Sequence, residues 1–122
     1  MKKILFIEDE STLQKSLGDF LEKEGYKMIS ALDGETGLQL ARKKKPDVIL
    51  LDLVLPRLHG FEVLKQLKTD AATKEIPVIV LTNLEEIDDV DKAIESGANA
   101  YLIKAHYSLE EVVEKIKKVL GE

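Results

Sequence analysis

The sequence predicts an α/β fold: one doubly wound parallel sheet of five strands, with five helices divided between its faces. Three observations carry this. Several short apolar runs show no polar alternation, as expected of strands covered on both faces. The clearest is Val48-Ile49-Leu50-Leu51, set off by Pro46 and Asp47 and running straight into Asp52. These runs alternate strictly with stretches whose apolar residues recur at helical spacing, and the links between them are short. Such alternation, with right-handed crossovers, leaves few topologies.

Lys3 to Ile7 reads as the first strand and stops abruptly at Glu8-Asp9-Glu10. Ser11 or Thr12 is the expected cap of a helix presenting Leu13, Leu17, Phe20 and Leu21 on one face. Gly25 is its natural stop. A second strand spans about Lys27 to Leu32. After the turn signal Asp33-Gly34, a helix spans about Glu35 to Lys44 and ends in Arg42-Lys43-Lys44-Lys45, charges that suit a helix C-terminus. The central strand is Val48 to Leu51. A loop through Pro56 and Gly60 leads to a third helix marked by Phe61, Leu64 and Leu67, with Leu58 as a candidate first member. Ile76 to Leu81 is a fourth strand ending at Thr82. A helix of about Ile87 to Ser96 is ended by Gly97. Ala100 to Ile103 forms the fifth strand and ends at Lys104. Ser108, with Glu111 three residues on, forms a capping box for a last helix with the stripe Val112, Val113, Ile116, Val119 and Leu120. The expected strand order is the flavodoxin-like 2-1-3-4-5, with a cleft between strands 1 and 3.

Composition narrows the function. At 122 residues a single domain, 1–122, is expected, with 44% hydrophobic and 34% charged residues. The formal charge of −5 argues against direct nucleic-acid binding, which needs a basic face. The absence of cysteine excludes disulfides and thiolate metal sites. The apolar run after Met1-Lys2-Lys3 is too short for a signal peptide or a membrane span, so a soluble cytoplasmic protein without membrane insertion is expected.

Four of the five strands deliver polar groups at their carboxyl ends: Glu8 and Asp9, then Asp52, Thr82 and Lys104. In the expected order these converge on the sheet edge where open α/β proteins bind ligands. Three carboxylates in one cleft repel, by roughly 4 kcal/mol for a close pair at an effective dielectric near 20. A hard divalent cation relieves that repulsion, and oxygen ligands without imidazole or thiolate favour Mg²⁺. Lys104 and the Thr82 hydroxyl could hold phosphoryl oxygens while Asp52 acts as in-line nucleophile, giving an acyl phosphate. A structural Asp–Lys ion pair is the plain alternative.

With these residues placed, the chain resembles the receiver (response regulator) domain of two-component signalling along essentially its whole length. The matching pieces are Ile4 to Glu10, Pro46 to Asp52, Leu55-Pro56 with Gly60, Ile76 to Thr82, Gly97-Ala98, and Tyr101 to Lys104. The resemblance implies a phosphoacceptor switch rather than a turnover enzyme. Asp52 would receive its phosphoryl group from a histidine kinase or histidine phosphotransfer protein, with Mg²⁺ required. By that analogy Asp9 binds the metal directly, Glu8 acts largely through water, and the backbone carbonyl of Val54 is a further ligand. Thr82 and Tyr101 would be the switch pair, altering the face of helix 4, strand 5 and helix 5 toward an unnamed downstream protein. The state implied is a monomer or a phosphorylation-dependent dimer.

Some positions depart from the family pattern. Glu8 stands where Asp is commoner, and Ala105 follows Lys104 where a proline with a cis bond is usual. Asn83 replaces a small residue and is expected to narrow access to Asp52. Val54 and Leu84, which the resemblance implies gate the attacking water, are apolar, so slow self-dephosphorylation is expected. His59 and His106 read as surface residues, and Arg42 to Lys45 as a solvated helix end. Rival functions fit less well. A flavodoxin would need a Gly/Ser/Thr-rich phosphate loop where Glu8-Asp9-Glu10 stands. An aspartate-nucleophile phosphohydrolase would want an acid at Val54. A receiver-like interaction module working without phosphorylation is the remaining alternative.

Overall fold

A computed structural model describes all residues, 1–122. The strands are β1 (Lys3–Ile7), β2 (Lys27–Ala31), β3 (Val48–Leu51), β4 (Val78–Thr82) and β5 (Ala100–Ile103). The helices are α1 (Ser11–Lys23), α2 (Gly34–Lys44), α3 (Gly60–Thr69), α4 (Ile87–Glu95) and α5 (Leu109–Leu120). All strand pairs are parallel, in the order β2-β1-β3-β4-β5. The predicted fold class and order are those observed.

The lack of polar alternation now has its cause. Successive strand side chains point to opposite faces, and both faces are buried. Leu5, Ile7, Ile49, Leu51, Val78 and Val80 enter one core with residues of α2, α3 and α4. Ile4, Phe6, Val48, Leu50, Ile79 and Leu81 enter the other, with α1 and α5. All four residues of β3 are fully buried, which makes β3 the axis of the molecule and fixes Asp52 at its end.

Boundaries differ where local chemistry intervenes. Neither Ser11 nor Thr12 caps α1: the cap position is Glu10, without a side-chain hydrogen bond, and Ser11 is already helical. Gly25 follows α1 at φ +96°, as a C-terminal glycine should. β4 starts at Val78 rather than Ile76, because the Ile76 N–H is taken by the Thr73 carbonyl in a turn and Pro77 has no N–H to give. Leu58 is not part of α3; it packs against the core from the preceding loop. A short 3₁₀ turn, Lys104–His106, follows β5 and was not foreseen. The Ser108–Glu111 capping box is present in both directions, at 3.2 and 2.9 Å. Ser108→Ala is therefore expected to cost about 1 kcal/mol, read as a lower urea midpoint at unchanged slope.

Candidate functional site

The parallel order brings the carboxyl ends of β1 and β3 side by side, and the backbone ladder continues past both strands. Asp52 N–H donates to the Ile7 carbonyl, and Glu8 N–H to the Ala31 carbonyl, each at 3.0 Å. The acids are therefore placed by the sheet itself. Carboxylate oxygens of Glu8, Asp9 and Asp52 lie within 4.8 Å of one another. Glu8 and Asp52 are buried, whereas Asp9 is exposed.

Lys104, from the end of β5, reaches across to both buried acids. Its Nζ lies 2.9 Å from Asp52 Oδ2 and 2.5 Å from Glu8 Oε1. The other Asp52 oxygen accepts the Val54 N–H at 3.1 Å, and Glu8 Oε2 accepts the Glu10 N–H at 3.1 Å. Burial pushes the Glu8 carboxyl up to about 7, helped by the Asp52 charge and opposed by Lys104. Burial works against the Lys104 ammonium, but its hydrogen bonds to Glu8 and Asp52 outweigh it and raise its pKa.

Three carboxylates face one ammonium, so the cleft is short of positive charge. Glu8 Oε1 is buried, and its one partner is the Lys104 ammonium, which it shares with Asp52. Two buried acids sharing one ammonium, beside a third acid, suit a hard cation, and the all-oxygen donor set suits Mg²⁺. Val54 lines the cleft with Asn83 and Lys104, and its side chain is exposed.

The remaining candidates sit behind this cleft. Thr82 is fully buried, and its neighbour Asn83 lines the opening. Leu84 links Thr82 to Tyr101: its N–H lies 3.5 Å from Thr82 Oγ1, and its carbonyl accepts the Tyr101 hydroxyl at 2.8 Å. Leu84 and Tyr101 both pack against the core, and Leu84 does not line the cleft. Sequence reasoning paired Thr82 with Tyr101 but did not find this main-chain link. It also treated His59 as a plain surface residue. His59 Nδ1 accepts the Phe61 N–H at 3.2 Å and caps α3, with its ring stacked on Phe61. His106 lies 3.1 Å from Glu85, joining the loops after β4 and β5. No peptide bond is cis.

Fold and site together define an open, doubly wound α/β protein with a lysine-braced acidic cleft beside its central strand. The chain belongs to the response regulator receiver domain family, whose model matches residues 4–117. It is 41% identical over 104 residues to protein PilH of Pseudomonas aeruginosa, covering 85% of this chain and 86% of that one. It is 36% identical over 121 residues to the polar-differentiation response regulator DivK of Brucella anthropi, covering 99% and 98%. Some relatives are longer. Against the transcriptional regulator RpaA of Synechocystis (38% identity over 120 residues), the chain spans 49% of the relative's length. Among solved structures, a CheY-like receiver protein of Methanospirillum hungatei superposes with a TM-score of 0.93 at 26% identity, covering 99% of this chain and 94% of that one. The receiver domain of sensor histidine kinase PA1611 from Pseudomonas aeruginosa gives 0.89 at 26% identity, covering 99% and 98%. That structure holds a magnesium ion in its active-site cleft.

Proposed function

We propose that this receiver domain is a phosphoacceptor switch in which Asp52 takes the phosphoryl group. The observation that carries the reading is the setting of Asp52: at the end of the central strand, buried, with one oxygen on Lys104 and the other on the Val54 N–H. An Asp52 oxygen forms the new bond to phosphorus as the bond to the donor's imidazole nitrogen breaks. The electron pair leaves with the imidazole of a histidine kinase or histidine phosphotransfer protein. Glu8, Asp9, Asp52 and the Val54 carbonyl would hold Mg²⁺, which supplies positive charge toward the transferring group. The PA1611 receiver domain, with magnesium in the same kind of cleft, supports that assignment.

The chain's own groups divide the remaining tasks. Lys104 leaves Asp52 and pairs with a phosphoryl oxygen, keeping its charge where negative charge accumulates. Thr82 turns its hydroxyl toward a second oxygen. Because Leu84 joins Thr82 to Tyr101, that turn loosens the Tyr101 contact and alters the face of α4, β5 and α5 toward a downstream protein.

Intact mass after incubation with acetyl phosphate and Mg²⁺, beside Asp52→Ala, tests this reading. One phosphoryl adduct that needs Mg²⁺ and is absent from the variant is expected. No adduct, with a phosphorylated histidine kinase also tried as donor, would leave an interaction module that works without phosphate. The apolar Val54 at the cleft mouth cannot orient water, so the adduct is expected to outlast seconds after the donor is removed. Its decay, followed by mass, checks this, and a half-life of seconds would count against it.

A further inference from the structure

We infer that Gln14 is a positioning residue for the metal site, holding the peptide between Glu8 and Asp9 in the orientation that brings Asp9 to the cation. The inference rests on the metal-dependent reading of the cleft. The observation is a single amide nitrogen surrounded by three main-chain carbonyls. Gln14 Nε2 donates to Phe6 O at 2.9 Å, to Glu8 O at 3.0 Å and to Ala31 O at 3.0 Å. Two hydrogens serve three acceptors, so one bond is shared. The amide oxygen cannot take that place, since it would face three like dipoles.

This arrangement bears on the site because of what Asp9 lacks. Its side chain is exposed and makes no hydrogen bond or ion pair. Glu8, by contrast, is held through its own carboxylate by Glu10 N–H and Lys104. The direction of Asp9 is therefore set by the main chain that precedes it. That main chain lies just past the end of β1 at Ile7. The Glu8 N–H is fixed by Ala31 and the Glu8 carbonyl by Gln14. One residue of α1 thus ties the ends of β1 and β2 together and aims the peptide that carries Asp9. Partners that orient a metal ligand without touching the metal are worth roughly 10- to 100-fold in metal affinity.

The test replaces Gln14 by methionine, which keeps length and volume and removes both donors. Mg²⁺ affinity is read by calorimetry, and phosphorylation by acetyl phosphate is followed across Mg²⁺ concentrations. For Q14M the Mg²⁺ dissociation constant and the Mg²⁺ concentration giving half-maximal rate are expected to rise about tenfold. The rate at saturating Mg²⁺ should stay within about twofold, because Asp52, Thr82 and Lys104 are untouched. Ser108→Ala, a loss of stability at a residue that does not line the cleft, should shift neither quantity. Should Q14M not fold, Q14L, which likewise has no donor, takes its place under the same criterion. Unchanged Mg²⁺ affinity would overturn the inference. So would a loss of rate that saturating Mg²⁺ does not restore, since Gln14 would then merely fasten α1 to the sheet. Failure of the wild-type protein to bind Mg²⁺ would instead remove the reading on which the inference stands.

Discussion

Lys104→Met is expected to lower stability by roughly 2–4 kcal/mol in the absence of divalent cations, and Mg²⁺ should restore most of it. Lys104 is the only cation reaching the buried acids, with Asp52 and Glu8 both on its Nζ. Its removal leaves Glu8, Asp9 and Asp52 crowded together without compensation. Methionine matches the stem and so separates charge from packing. The protein's partial remedy is to protonate Glu8, whose carboxyl already sits near 7. That gives the pH dependence its sign. Between about 4.5 and 7 folded Glu8 keeps a proton that the unfolded chain has released, so stability falls as pH rises through this window. Without Lys104 the fall should extend to higher pH. Mg²⁺ favours the ionised acids and should flatten it. Urea unfolding with chelator and with Mg²⁺, at pH 6 and pH 8, reads all of this. Equal loss with and without Mg²⁺ would mean that Lys104 acts by packing alone.

The sheet was legible because its signal is a local one. Each strand is a short apolar run, and burial on both faces removes the alternation that would confuse it with a surface strand. The start of α1 and the start of β4 were not legible, since each depends on where one backbone N–H finds its acceptor. For Ile76 that acceptor is the Thr73 carbonyl in a turn, and composition says nothing of it. The capping box of α5 was legible because both partners are side chains at fixed spacing.

The site divides in the same way. Glu8, Asp9, Asp52 and Lys104 announce themselves as charges directly after apolar strands, and topology alone brings them together. Gln14, the Leu84 link and the His59 cap use neutral or main-chain groups whose partners are distant or unremarkable in sequence. A glutamine on the first helix looks like any solvated residue until three carbonyls are found around its nitrogen.

Gly60→Ala is expected to cost about 3 kcal/mol and to slow phosphorylation of Asp52 by about a hundredfold. Gly60 opens α3, and its N–H donates to the Leu53 carbonyl at 3.0 Å. The loop from Asp52 thus folds back onto its own start. A Cβ on Gly60 would lie 2.2 Å from Leu53 Cα and 2.7 Å from the Asp52 carbonyl oxygen. Both are main-chain atoms, and Leu53 is fully buried, so no flexible side chain gives way. The backbone carrying Asp52 must move by about 1 Å, a displacement that costs of order a hundredfold where a reacting group must be aligned. Two other glycines serve as comparisons. A Cβ on Gly37 would meet only the Ile7 side chain, at 2.6 Å, so Gly37→Ala should lose stability without displacing Asp52. A Cβ on Gly18, inside α1, meets nothing within 4 Å, so Gly18→Ala should stabilise by about 0.5–1 kcal/mol. Urea midpoints and acetyl-phosphate rates for the three variants separate crowding at Asp52 from crowding elsewhere. A Gly60→Ala protein with unchanged phosphorylation kinetics would show that the Asp52–Gly60 loop can shift without moving the carboxylate.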